Sequence, residues 1–184
     1  MRRRTVLIPA ASAVLLVVAF GLYWFQPWRL WTHSHIDESL PGYTPASLTA
    51  SGAPAPVAAA TAEPPSPAPA PAPTAVVLAG GGFRSGEHRT SGTALLIRLP
   101  DGQLVIRLEN FSTSDGPDVH VILSPNSAGS DQVGDYLHLG GLKATSGNEN
   151  YLVPAGTDVS GLRSVVIWCQ RFDAVFGSAD LVAQ

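Results

Sequence analysis

The stretch Ser164-Val-Val-Ile-Trp-Cys-Gln-Arg171 constrains the fold more than any other part of the chain. Its apolar and β-branched residues run without Gly or Pro, which reads as a buried β-strand. Alternation puts Val165, Ile167 and Cys169 on one face and Val166 and Trp168 on the other. Both faces are apolar, so the strand is expected to be central and covered on both sides. It also carries the only cysteine of the chain. One cysteine cannot close an intramolecular disulfide, so Cys169 is a free thiol, half of an intermolecular bridge or a ligand.

The 184 residues allow one ordinary domain with appendages, and the net charge of -3 gives no basic footprint for nucleic acid. Residues 1–31 read as a basic flank, Met1-Arg-Arg-Arg4, followed by an anchor. Thr5 to Phe25 carries no charge. At about 1.5 Å per residue it is long enough for the roughly 30 Å hydrocarbon core. Trp24, Trp28 and Trp31 would form an aromatic belt at the far interface. The run ends in Tyr23-Trp-Phe-Gln-Pro-Trp28, a poor cleavage site, which favours an uncleaved anchor over a cleaved signal peptide. The arginines would hold the N-terminus in the cytoplasm, giving a single-pass membrane protein with an exported C-terminal domain.

Residues 32–74 read as a juxtamembrane segment and a linker. Thr32 to Ser51 shows no periodicity, and His33-x-His35 reads as solvated linker rather than half of a metal site. Gly52 to Thr74 holds eight prolines, ending in Pro67-Ala-Pro-Ala-Pro-Ala-Pro73. Such a run favours extended polyproline II and builds no core, so it reads as a disordered spacer.

Residues 75–184 form the expected folded unit, with seven Lys/Arg against eleven Asp/Glu. Thr93 to Leu99 and Leu104 to Glu109 flank Pro100-Asp-Gly102, a hairpin signal. In the second arm Leu104, Ile106 and Leu108 would face in, and Arg107 and Glu109 out. Further short strands are expected at Ala75 to Leu78, Asp118 to Leu123, Tyr136 to Leu139, Asn150 to Val153 and Ala179 to Val182. No helical stripe appears. About seven to eight strands with regular turns argue an all-β chain folded as an antiparallel β-sandwich.

Cys169 has two readings. Free cysteine is among the most buried residue types and packs as a small hydrophobe. Exported proteins, however, tend to avoid unpaired thiols, so a retained one leans towards a ligand or redox role. Thiolate suits copper, zinc and haem iron. The candidate helpers are His120, in Asp118-Val-His-Val-Ile-Leu123, and His88, in Ser85-Gly-Glu-His-Arg89, with Trp168 and Asp118 behind them. His138 reads as an exposed edge residue. A blue-copper set is not complete, because no histidine follows Cys169 and the only methionine is Met1. C-x-x-C-H, a dense Cys/His cluster, a G-x-S-x-G elbow and a phosphate loop are all absent. No catalytic constellation stands out, which points away from an enzyme. The acidic loop Asp115-Gly-Pro-Asp118 reads as an Asx turn rather than a calcium site.

Several segments together resemble the DM-thirteen, or electron-transfer DM, domain. They are Gly82-Phe-Arg-Ser-Gly-Glu-His88, Ser91-Gly-Thr-Ala94, Leu108-Glu-Asn-Phe111, Gly116-Pro-Asp-Val-His-Val-Ile-Leu-Ser124, Leu139-Gly-Gly-Leu-Lys143, Gly147-Asn-Glu-Asn-Tyr-Leu-Val-Pro154 and Val165-Val-Ile-Trp-Cys169, then Phe172 to Leu181. The resemblance implies a β-sandwich with a characteristic cysteine, here Cys169. It also implies electron transfer through that thiol or through a bound group, for which the thiolate chemistry above makes haem or copper the candidates. An envelope redox protein would be the partner of such a bacterial-type, membrane-tethered module. Two other readings stand beside it. One is a non-enzymatic cell-surface binding module with Cys169 as packing. The other is a sensor whose thiol is oxidised.

Overall fold

The computed structural model describes residues 15–24, 32–44 and 74–184. The basic flank, the Pro/Ala-rich stretch and the ends of the apolar run, with Trp28 and Trp31, lie outside the described residues.

Ten strands form the domain: β1 His35–Asp37, β2 Val76–Ser85, β3 Ser91–Arg98, β4 Leu104–Ser112, β5 Val119–Ser124, β6 Leu137–Gly141, β7 Ser146–Leu152, β8 Ser164–Cys169, β9 Ala174–Asp180 and β10 Val182–Ala183. They are hydrogen-bonded along one path, β1-β7-β4-β3-β2-β9-β8-β5-β6, with β10 beside β2. All pairs are antiparallel except β1 with β7. The β3–β4 hairpin closes where the Pro100-Asp-Gly102 signal lies, with Gly102 at a φ of 88°.

The antiparallel sandwich of seven to eight strands is therefore corrected to one continuous sheet curled into a half-barrel. A sandwich keeps two sheets apart, whereas β2 belongs to both halves here. Its Val76–Gly82 portion pairs with β3, and Phe83–Ser85 pair with β9. The Gly80-Gly-Gly82 run sits inside this strand rather than interrupting it. A Cβ on Gly81 would stand 2.2 Å from the Asp180 carbonyl oxygen, so only bare backbone admits the neighbouring strand. Ile106 and Leu108 of β4 share one core cluster with Val121, Val165 and Ile167 of β5 and β8. The concave, inner face of the curl is thus the main core.

The outer face is covered in two places. Leu95, Ile97 and Val105 pack under Leu40 and Tyr43. Ile122, Val166, Trp168 and Val175 form a separate cluster on β5, β8 and β9. The first cover comes from residues 32–44, which the sequence pattern gives no reason to place on the sheet. Their strand β1 lies beside β7, and the Glu38 N–H donates to the Asn148 carbonyl at 2.8 Å. Gly147, at a φ of 113°, makes room for it, since a Cβ there would lie 1.9 Å from the Ile36 oxygen. Under this cover Arg107 is buried, and its Nε donates to Glu109 Oε1 at 2.7 Å. The outward-facing pair of the sequence reading is on the expected face but not in solvent.

The expected single-pass anchor, with a cytoplasmic N-terminus and an exported domain, is also corrected. The described helix covers residues 15–24, and no helix among the described residues is long and apolar enough to cross a membrane. Ten helical residues reach about 15 Å, half of the roughly 30 Å hydrocarbon core.

Candidate functional site

Strand β8 separates the candidate residues. Val165, Ile167 and Cys169 enter the inner core, while Val166 and Trp168 join the outer cluster. Cys169 is 0% exposed and shares its cluster with Val119, Ala174 and Phe176. Its cross-strand partners are Val119 on β5 and Ala174 on β9, both apolar. Three surface clefts, near Lys143, Asp173 and Pro154, are lined by other residues, and Cys169 lines none of them. None of these three clefts opens onto the thiol.

His120 follows Val119 by one residue and therefore points the other way. Its cross-strand partner is Trp168, so the two share the outer face. The His120 Nε2–H donates to Asp118 Oδ1 at 2.9 Å, two residues earlier on the same face. Its Nδ1 lies 2.8 Å from His138 Nε2. The result is a row, Asp118-His120-His138, that uses both nitrogens of the middle ring. Asp118 and His120 are half-buried and His138 is exposed.

His138 reaches this row through an irregularity in β6. Val121 faces Gly140 and Ile122 faces His138, which leaves Leu139 as an extra residue. The bulge keeps His138 on the outer face while Leu137 and Leu139 pack against the inner core. Position 141, opposite His120, is a glycine, so no side chain stands between the rings there. Sequence spacing alone gave no signal for this contact, because the bulge sets the register.

Trp168 is buried beside the row and oriented by a turn. The indole Nε1–H donates to Asp173 Oδ1 at 3.1 Å. Asp173 holds a φ of 51°, a left-handed conformation that aspartate tolerates better than most residues. The Tyr136 ring lies 5.2 Å from the Trp168 ring and is 36% exposed, leading from the buried indole to solvent.

The remaining candidates lie elsewhere. The His88 ring stacks on Phe176 with centroids 3.8 Å apart, and its Nδ1 lies 2.6 Å from Ser114 Oγ. Since Phe176 belongs to the cluster of Cys169, His88 meets the rim of that core rather than the row. His35 has Ser146 Oγ at 3.1 Å on one nitrogen and Asp37 Oδ2 at 2.9 Å on the other. Asp115 accepts from Thr32 and from the Gly116 N–H, in keeping with a loop-capping role. Among the described residues, no group of three or more His, Cys, Asp and Glu side chains is placed to hold a metal ion.

A second polar network occupies the other half of the curl. Glu149, buried on the inner face of β7, accepts from the Ala144 N–H at 3.0 Å, the Lys143 N–H and the Tyr151 hydroxyl. Burial pushes its carboxyl above the ordinary 4.5, and these hydrogen bonds oppose the rise only in part. Burial, then the Glu149 carboxylate, likewise push the Tyr151 phenol upwards. Glu38, on the outer side, behaves oppositely. Burial raises it, but the Lys143 ammonium at 2.9 Å, the Asn150 N–H and the Arg107 charge together hold it below 4.5. These groups fasten residues 32–44 and the β6–β7 loop, so we read them as structural.

The family model described as Electron transfer DM13 matches residues 82–181. Neither a curated protein nor a solved structure matches the chain. The matched residues include β8 entire, both of its faces, and the whole Asp118-His120-His138 row. They make up more than half of the sequence, and the chain belongs to the Electron transfer DM13 family, whose domain is an electron-transfer module.

Proposed function

We propose that this module exchanges electrons at the outer face of β5, β6 and β8, with Cys169 as a packing residue behind that face. The observation that carries the reading is the segregation on β8. Asp118, His120, His138 and Asp173, polar side chains near its end that are able to hold or orient a redox group, are on the outer side. On the inner side the cross-strand partners of the thiol, Val119 and Ala174, are both apolar. A thiol becomes a ligand or nucleophile as thiolate, and an apolar, closed surrounding disfavours that charge. The aromatic pair Trp168 and Tyr136 lies beside the histidine row and reaches the surface, where a protein partner can approach. A redox protein is one class of partner that suits such a surface.

The test is stopped-flow oxidation of the full chain, as isolated in its reduced form, by hexacyanoferrate(III). The oxidant gains one electron per event, and the redox group held at the outer face loses one. The reading expects Cys169→Ala to keep the reaction and His120→Ala to lose it.

A second reading keeps Cys169 as the redox group. It is favoured by one observation: the thiol follows directly on Trp168 in β8, whose indole would link it to the surface. That reading expects the opposite pattern in the same two variants.

A further inference from the structure

We propose that His120 and His138 bind a divalent transition-metal ion, with Cu(II) bound most tightly. The inference rests on the outer-face reading for its redox meaning, and it names the group held there. Three observations carry it.

The first is the spacing. His120 Nδ1 and His138 Nε2 lie 2.8 Å apart. Two imidazole nitrogens at right angles around one metal, each about 2.0–2.1 Å from it, are about 2.9 Å apart, so the separation already matches the bite of one ion. The pair meets here as a hydrogen bond, with the rings at an interplanar angle of 55°, and each ring turns to aim its lone pair at the ion instead of at the other nitrogen.

The second is the partner on the far side of His120. The Asp118 carboxylate accepts from Nε2–H, which fixes the tautomer and leaves Nδ1 as the metal-facing lone pair. Histidine ligands commonly donate their other N–H to a carboxylate or carbonyl, which orients the ring and raises its basicity. Asp118 lies at the opposite edge of the ring and cannot reach the same ion. The protein therefore supplies two ligands rather than three, and the remaining positions are open to solvent or to a partner's side chain.

The third is access. The His120 side chain is 18% exposed, and His138 is exposed. An ion can enter without opening the core, and His138 turns its proton to Nδ1 as Nε2 takes up the metal. Imidazole suits copper, nickel and zinc, and affinities at such sites peak at Cu(II).

The experiment titrates the untagged full chain with Cu(II) and follows electron paramagnetic resonance and calorimetry. The expected result is one bound ion with hyperfine coupling to two nitrogens. His138→Ala should abolish it, a safe variant because that side chain is exposed. Asp118→Asn should weaken binding about 10–100-fold, as loss of an orienting partner does elsewhere. Cys169→Ala and the double variant His33→Gln, His35→Gln should bind as the unaltered chain does. Absence of binding, or binding that survives His138→Ala, overturns the site. If Cu(II) does not bind while the His120-dependent electron exchange persists, the metal inference falls and the outer-face reading stands. If Cu(II) binds but electron exchange follows Cys169 alone, the site stands and the outer-face reading falls.

Discussion

Two surfaces one residue apart on β8 have opposite chemistry. Cys169 enters a dry cluster with Val119, Ala174 and Phe176. Trp168 enters a surface that also carries Asp118, His120, Tyr136 and His138. The pleat alone decides this, since it turns successive side chains to opposite faces. A cysteine and a histidine on neighbouring strands become partners only at matching registers. Val119, not His120, is the residue opposite Cys169. Closeness of motifs in a family pattern therefore does not amount to a shared site.

The contrast can be broken or sharpened by substitution, beginning with the inner face. Ile167→Ala, at a fully buried position, should cost about 2–5 kcal/mol in chemical denaturation, whereas exposed Tyr136→Ala should cost far less. Cys169→Ser, which buries a hydroxyl without a partner, should cost about 1–3 kcal/mol. Cys169→Ala should cost less than the serine variant. If serine were the milder change, the thiol would have a polar partner and the inner face would not be dry.

Two carboxylates extend the comparison to pH. Glu149 on the inner side has a raised pKa, so its contribution to stability is present below 4.5 and is lost as pH rises through the higher folded value. Glu38 on the outer side has a lowered pKa, so its contribution is present above 4.5 and is lost as pH falls through the lower folded value. Denaturation midpoints across pH should show the first trend flattened in Glu149→Gln and the second in Glu38→Gln. The same slopes in both variants would contradict the assignment. The smallest effect belongs to His138→Ala, which should change stability by no more than about 0.5 kcal/mol. A larger loss would make that histidine a structural residue.

Much of the inner face was legible in the sequence. Unbroken apolar alternation identified both sides of β8, and Leu104, Ile106 and Leu108 do pack inward. The β3–β4 hairpin followed from its turn residues. Three features were not legible, for different physical reasons. The curl of the sheet depends on the close approach of Gly81 to Asp180, and a glycine run reads locally as a break. Residues 32–44 carry no strand pattern, and their pairing with β7 joins Ser34 to Thr145 across 111 positions. His138 meets His120 through a bulge, which no alternation rule foresees. The site was thus half visible: Asp118, His120 and Trp168 stood out as candidates and alternation already parted Trp168 from Cys169, but the register that sets His120 opposite Trp168 did not show.

The most direct test of the account is protein-film voltammetry of the full chain, comparing the unaltered protein with Cys169→Ala and His120→Ala. The account predicts a reversible couple that survives loss of the thiol and disappears with the histidine. A couple that disappears with Cys169 and survives loss of His120 would contradict it, and would return the redox chemistry to the inner face.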